Sequence, residues 1–433
     1  MSATTYDGLG TTLTVRASGS TINVGFTTSI AIVGGYDAAN AAESVTANEA
    51  EYVSSGDEAA TLFGEGSELH KATNLAYTNR AGDVYCIPVA ETTGVTETFG
   101  GTSSGTLSDV PFDPNVNTEH DITVTDVVEG TDVAVNIVYD ETPSAPSNAN
   151  TINLNPANKQ WVADESSDYE ITYDYGDYSG AITEAVGENV RYVVCLTENE
   201  SIANDLLSTL NSHAKDFEFK RGVVGTRPEI ADPTNFEYGV DDQRLIAVST
   251  PRVFNDGEVR LAAGIGGAAS TQPLGSSLTY DSINGFTSLR TEFRPSEAES
   301  FDRVTTVADT NEVVEAVTTS SVDKFSDIFK AEIVDATAEG LHEVAKQYRA
   351  GPNTEDDQQN LRSDMIGILS DFASRSPPLL YAADGGRAYS ITVDYGASAD
   401  ITDVTVGVEL LNVMKEINLN LNVGSVVTYE GAS

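Results

Sequence analysis

Four stretches of this 433-residue chain have residue types and spacing that could do chemistry. GTSSG at 101–105 fits the GxSxG nucleophile elbow, in which Ser103 would attack an acyl carbon. An elbow needs a strand running into the serine and a helix leaving it. The pentapeptide instead sits in a Gly, Ser and Thr loop leading into a strand-rich stretch, so the match reads as accidental. GIGGAA at 264–269 fits GxGxxA, the dinucleotide-binding variant, whose glycines must follow a strand and open a helix. Here they follow EVRLAA, so EVRLAAGIGGAAS reads as one small-residue helix that packs closely on a neighbour. Gly34 and Gly35 close the apolar run SIAIV, but without GxGxxG spacing or a following Lys-Ser or Lys-Thr the pair reads as a conformational turn. HEVAK at 342–346 lacks the second histidine of HExxH, which leaves zinc hydrolysis without support.

The remaining reactive residues are no better organised. His70, His120, His213 and His342 are scattered without a triad neighbour in sequence, and each is expected on a surface or a helix face. Cys86 and Cys195 lie inside VYCIPV and YVVCLT, the pattern of buried strand thiols, with a disulfide between them left open. Acidic pairs are too frequent to single out a general acid or base, and Asp-rich loops offer only diffuse cation binding. No catalytic residue, metal or cofactor is expected.

Charge sets the conditions in which these residues must be positioned. Asp and Glu number 67 against 23 Lys and Arg, a formal net charge of -44. Such a surplus repels itself in dilute salt, whereas near 1 M salt the Debye length falls to about 3 Å. A salt-adapted surface follows. Nucleic acid is not expected as a partner, because phosphate contacts need a cationic stripe that this chain lacks. The hydrophobic fraction of 40% and mean hydropathy of -0.19 predict a folded protein, and the length predicts two to four domains. MSATTYDGLGTT has neither a charged nor an apolar leader region, and no apolar run reaches the ~18 residues of a membrane span, so a soluble protein made in the cytoplasm is expected.

The elements alternate between two patterns. SIAIV, a helical stretch over 58–82 with Leu62, Leu69, Ala72, Leu75 and Ala76 on one face, and VYCIPV predict a strand, helix, strand layer. Period-two runs DITVTDVV, DVAVNIVYD, NTINLNP and DYEITYDYG then predict an all-β insertion over 100–179. YVVCLT, SIANDLLSTLNSHAK, RGVVGT and RLIAVST resume the α/β layer. A third region is expected from Thr287, with helices over 322–349 and 356–375 and closing strands RAYSITVDYG, DVTVGVELL and INLNLNVGSVVTYEG. Extended ends that cannot bury themselves are natural donors for strand addition to a second copy.

On these residues the chain resembles the contractile tail sheath family of tailed viruses and related injection machines. The resemblance rests on INVGFTTSIAIVGGYD through AATLFGEGSELHKATNLAYTNRAGDVYCIPV, on DQRLIAVSTP with RLAAGIGGAAS, and on VTTVAD with the helix pair around YRAGPNT and LRSDMIGILSDFASR. It implies an α/β multidomain fold: a sheath-like core, an inserted all-β domain and extended arms. Boundaries are expected at 1–20 for the N-terminal arm, 21–99 and 180–286 for the two parts of the α/β domain, 100–179 for the outer insertion, 287–423 for a tube-facing C-terminal domain and 424–433 for the C-terminal arm. The family's role is a non-enzymatic subunit that stacks as hexameric rings around an inner tail tube. It meets baseplate and tail terminator proteins, and it shortens to drive the tube through a cell envelope without inserting into the membrane itself. The acidity fits a virus or device of a salt-loving archaeon, with the subunit in a virion tail.

Strand addition between subunits is then expected through Thr12, Leu13, Thr14, Val15 and Arg16, and through Val426, Val427, Thr428 and Tyr429. Arg362 and Arg375 flank the second C-terminal helix and are candidate contacts to an acidic tube, with ion pairs inside the subunit as the alternative. Two rival functions remain: a secreted or surface β-rich binding protein of a halophile, suggested by the Thr- and Asp-rich insertion, and a hydrolase using Ser103.

Overall fold

The computed structural model describes residues 3–6, 13–16 and 27–410, apart from 110, 112–121, 139–141, 157, 227–229, 231–232, 251, 255–256, 349–352, 383–384 and 396–401. At the N-terminus β1 (Ala3–Tyr6) and β2 (Leu13–Arg16) pair antiparallel as a sheet of their own. The core is a six-stranded sheet. Its parallel strands are β3 (Ile30–Gly34), β5 (Val84–Pro88), β11 (Tyr192–Cys195), β12 (Arg221–Gly225) and β13 (Leu245–Val248), with β4 (Glu51–Val53) antiparallel at one edge. The spatial order is β13-β12-β11-β3-β5-β4.

Continuous apolar runs suit these strands because both sheet faces are covered. Ile30, Ile32 and Val194 pack on one side with α1 (Gly56–Phe63), α2 (Glu68–Thr78) and α5 (Ala262–Ser270). Ala31, Val33 and Val193 pack on the other with α3 (Tyr178–Gly187) and α4 (Glu200–Ala214). Cys86 pairs with Ile32 and Cys195 with Val33, so the two thiols lie on opposite faces, with β3 between them. Both are free, and this arrangement settles the open question of a disulfide.

The helix expected over 58–82 is two helices. Gly64 and Gly66 take φ of +88° and +84°, which ends α1, and the Ser67 hydroxyl accepts the His70 N–H to start α2. The helix expected from Glu258 begins only at Ala262. Before it, β14 (Arg252–Phe254) and β15 (Glu258–Arg260) form an antiparallel pair. Within α5 a Cβ on Gly267 would lie 2.6 Å from the Ala76 carbonyl oxygen, which confirms close helix packing as the reason for GIGGAA.

The insertion is built from β6 (Ala90–Thr106), β7 (Thr123–Asp126), β8 (Thr131–Ile137), β9 (Thr151–Asn155) and β10 (Gln160–Asp177). One side of β10 pairs with β6 along its length, and the other pairs first with β9 and then with β7. Because β7, β8 and β9 also pair in turn, the strands close on themselves around Trp161, Tyr169 and Ile171. GTSSG is therefore not a loop. It lies inside β6, with Gly105 opposite Trp161 and Ser104 opposite Val162, and Ser103 has no following helix.

Residues after Thr287 first return to the central sheet. β16 (Ser288–Leu289), α6 (Pro295–Ala298), β17 (Thr306–Val307) and β18 (Val313–Glu315) carry Leu289, Val307 and Val313 into the same cluster as Ile30, and Thr305 bridges in parallel to Val248. A separate hydrophobic cluster starts at Phe329. It is built by α7 (Asp323–Ser326), α8 (Ile328–Tyr348), α9 (Glu355–Ser374) and the antiparallel pair β19 (Tyr389–Tyr395) and β20 (Thr402–Val408). α9 opens with a capping box in which Thr354 and Asp357 satisfy each other's backbone N–H groups. The strand expected over 417–431 lies outside the described residues.

Candidate assembly site

In parallel sheets of this kind ligands sit beyond the carboxyl ends of the strands. Here that position is filled by side chains of the protein itself. Gly35 N–H donates to the Glu68 carboxylate at 2.7 Å, and Leu69 N–H donates to the Gly35 carbonyl at 3.0 Å. Glu68 accepts from Arg260 at 2.5 Å, and Arg260 reaches Glu198 at 2.5 Å. Arg252 holds Glu198 with two bonds of 2.8 and 2.9 Å and extends to Glu258 at 2.9 Å. Burial pushes the Glu198 carboxyl up, but Arg252 and Arg260 outweigh it and hold it at about 2. The glycine turn thus receives the carboxylate at the start of α2 where a phosphate-binding turn would receive a ligand. A Cβ on Gly34 would lie 2.5 Å from Leu196 Cδ1, which explains the first glycine.

A second network at the amino ends of the strands joins the sheet to α8. Arg191 grips Glu332 through Nε at 2.9 Å and Nη2 at 2.8 Å, and the Tyr192 hydroxyl donates to the same carboxylate at 2.6 Å. The remaining Arg191 nitrogen donates to the carbonyls of Ser270 and Gln272 at 3.0 and 2.8 Å. Arg221 pairs with Asp335 at 2.5 Å, and Arg244 lies 3.6 Å from that carboxylate. These charges are almost fully buried. Sequence reasoning missed them, although RYVVC, RGVVG and RLIAV each place an arginine directly before an apolar strand.

The histidines remain apart. His70 Nδ1 accepts the Gly66 N–H at 2.9 Å, His213 meets Glu218 at 2.8 Å and His342 stacks on Phe217 at 3.6 Å, while His120 lies outside the described residues. Among the described residues no three His, Cys, Asp or Glu side chains group as metal ligands, and no helix is long and apolar enough to cross a membrane.

Among the described residues an outer strand edge is unpaired. β19 and β20 form a two-stranded sheet whose inner face, Tyr389, Ile391, Val404 and Val406, packs over the C-terminal helices. Among the described residues no strand pairs with the outer edge of β20. On the opposite edge Arg362 Nε donates to the Ile391 carbonyl at 3.4 Å. Arg375 is held by Asp371 at 2.9 Å and lies over the Phe372 ring. Each arginine expected at a tube therefore has a partner within its own subunit. Leu13, Thr14, Val15 and Arg16 form β2, paired with Tyr6, Thr5, Thr4 and Ala3. Thr12, Val426, Val427, Thr428 and Tyr429 lie outside the described residues.

No protein-family profile and no curated protein matches this sequence. Solved structures do. The helical sheath of the anti-feeding prophage, in its contracted state, aligns with a TM-score of 0.59 at 10% identity, over 94% of this chain and 96% of that one. The contracted PVC sheath complex of an extracellular contractile injection system aligns at 0.57 and 10% identity, over 98% of both chains. The sheath tail protein of Listeria innocua aligns at 0.52 and 14% identity, over 89% of this chain and 92% of that one. An inserted β unit, a six-stranded core and a helix-backed strand pair thus lie on a backbone shared almost end to end, and the chain has the fold of contractile sheath proteins.

Proposed function

We propose that this chain is a non-enzymatic structural subunit of a contractile sheath. Copies stack as hexameric rings in a helix around an inner tail tube, between a baseplate and a terminator, and pass from a long, narrow state to a short, wide one that drives the tube through a cell envelope. The observation that carries the reading is the fold, which aligns over 94% and 98% of this chain with two contracted sheaths. Among the described residues β19 and β20 make a two-stranded sheet backed by helices, and β1 and β2 pair with each other. Arms donated by neighbouring copies, from residues 12–16 and 426–429, complete that sheet and keep the lattice linked while subunits turn. Arg362 and Arg375 are the residues offered to the tube, and the charge of -44 suits a particle of a salt-loving archaeon.

Contraction then needs no nucleotide. A few kcal/mol of extra burial per subunit, summed over many rings, shifts such an equilibrium fully. Negative-stain microscopy of the expressed protein in molar salt tests the reading: hollow, helically striated cylinders are expected, and dispersed particles overturn it. A variant lacking the residues before Ser20 is expected to stay dispersed, and cylinders from it remove the N-terminal arm from the mechanism.

A further inference from the structure

The network at the amino ends of the strands holds more positive than negative charge. Arg221 and Arg244 stand side by side, because the residues that follow them, Gly222 and Leu245, are partners in the β12–β13 register. Neighbouring strands lie about 4.8 Å apart and side chains in register share a face, so the two guanidiniums start as like charges directly opposed. Arg191 lies one strand further on, just before Tyr192, the partner of Arg221 across β11 and β12. Against these three cations α8 brings two carboxylates. Glu332 is taken by Arg191 and one oxygen of Asp335 by Arg221, while the other Asp335 oxygen lies 3.6 Å from Arg244.

One positive charge is left over, and the neighbouring groups do not remove it. The next carboxyl along α8, Glu339, is raised to about 7 by burial and by the charges of Glu343 and Asp335, so at pH 6 it is mostly protonated. Burial keeps the Tyr192 hydroxyl neutral. Lys220, next to Arg221, adds to the surplus: it is itself buried, and its ammonium donates to the Val186 carbonyl instead of a carboxylate.

The surplus coincides with unmet hydrogen bonds. The side chains of Arg221 and Arg244 are 3% and 9% exposed, and the Nε of each is buried without an acceptor among the described residues. The Arg244 guanidinium makes no hydrogen bond to those residues at all. Its contacts are the 3.6 Å approach to Asp335 and the Phe219 ring, whose centre is 5.3 Å away. Buried charges ordinarily have both a counter-charge and hydrogen-bond partners. Water can accept from an Nε, but it leaves the charge unbalanced.

We infer that Arg221 and Arg244 bind a monovalent, monatomic anion, chloride in ordinary salt, beside Asp335. A single surplus charge matches a single negative one, which a sulfate or phosphate dianion would overshoot. A spherical ion accepts N–H donors from any direction and needs little room among packed side chains. Because Asp335 belongs to α8, the ion strengthens the joint between the central sheet and the C-terminal cluster. Part of the protein's response to salt is then a response to chloride and not to ionic strength. This site goes beyond the sheath reading and does not depend on it.

Thermal melting of the full chain at pH 6 tests it, in molar salt of constant ionic strength with sodium methanesulfonate replaced stepwise by sodium chloride. Chloride is expected to raise the melting temperature of the parent by about 2–4 °C more than that of Arg244→Met. In the chloride-free salt Arg244→Met, which removes the surplus charge, is expected to melt at or above the parent. Equal chloride shifts in the two proteins overturn the site. A second measurement needs no variant: crystals of the parent soaked in sodium bromide should show an anomalous peak within hydrogen-bond reach of Arg221 Nε or Arg244 Nε. Bromide at exposed cations alone, an adventitious ion only, also overturns the assignment.

Discussion

Arg191 and Glu332 form a buried two-point ion pair, at 2.9 and 2.8 Å, between the residue preceding β11 and the first turns of α8. With Arg221 and Asp335 it ties the parallel sheet to the helix that begins the C-terminal cluster. Removing one partner strands the other charge away from water. Glu332→Leu is expected to lower stability by about 3–5 kcal/mol, while the combined Arg191→Met and Glu332→Leu change recovers part of that loss, since the Ser270 and Gln272 carbonyls and the Tyr192 hydroxyl still lack their partners. Urea unfolding at constant salt measures both, and equal losses in the single and double variants refute the pairing argument.

Two helix glycines are expected to respond in opposite directions. At Gly267 a Cβ would meet the Ala76 backbone, at 2.6 Å from its oxygen and 3.0 Å from its Cα, and neither atom can swing aside. Gly267→Ala should force α5 from α2 at about 1–3 kcal/mol. At Gly367, inside α9, no atom lies within 4 Å of the built Cβ. Gly367→Ala should stabilise the free subunit by about 0.5–1 kcal/mol through helix propensity alone. Thermal melting of the two variants checks the signs.

Part of this architecture is readable in the sequence because burial leaves a pattern. SIAIV, YVVC and LIAV are apolar throughout since both faces of β3, β11 and β13 are covered. The helices around Leu206 and Leu369 show their buried faces in the spacing of their leucines. GTSSG is illegible because Ser103 and its neighbours gain strand structure only from pairing with β10, more than fifty positions later. Glu258–Arg260 reads as helix because nothing within it records its partner Arg252–Phe254. Of the candidate assembly site, the strand at Leu13–Arg16 is visible as alternation. The closure of one edge by Arg362 depends on a contact 29 residues away in sequence and leaves no local trace.

Two carboxyls, Glu339 and Glu198, bend the pH profile in opposite senses. On α8 burial, with the charges of Glu343 and Asp335 overriding Lys346, raises Glu339 to about 7 from an ordinary value of 4.5. A raised folded-state value means that the folded form holds the extra proton, so this stability is present below pH 4.5 and is lost as pH rises through 7. Glu339→Gln should therefore match the parent at pH 4 and exceed it at pH 8, by on the order of 2–3 kcal/mol. Glu198, held at about 2, contributes stability above its ordinary value of 4.5 that is lost as pH falls toward 2. Urea unfolding of parent and Glu339→Gln at several pH values checks the crossover, and parallel curves refute it.

The insertion separates the fold's requirement for salt from the lattice's. Ala90 and Asp177 stand opposite each other in the β6–β10 register, so residues 91–176 leave and re-enter the core at one point. Their hydrophobic cluster is distinct from the two that flank the central sheet. The segment carries sixteen Asp and Glu against one Lys. Replacing it with a short Gly-Ser linker, while keeping Asp177 as the cap of α3, should leave the core melting as before. If stacked rings crowd these insertions together, repulsion between them grows as the Debye length lengthens from about 3 Å at 1 M to about 10 Å at 0.1 M. The shortened protein should then form cylinders at a salt concentration several-fold lower than the parent needs, as read by sedimentation across a salt series. An unchanged salt midpoint would move the origin of the salt requirement from the insertion to the arms and the core.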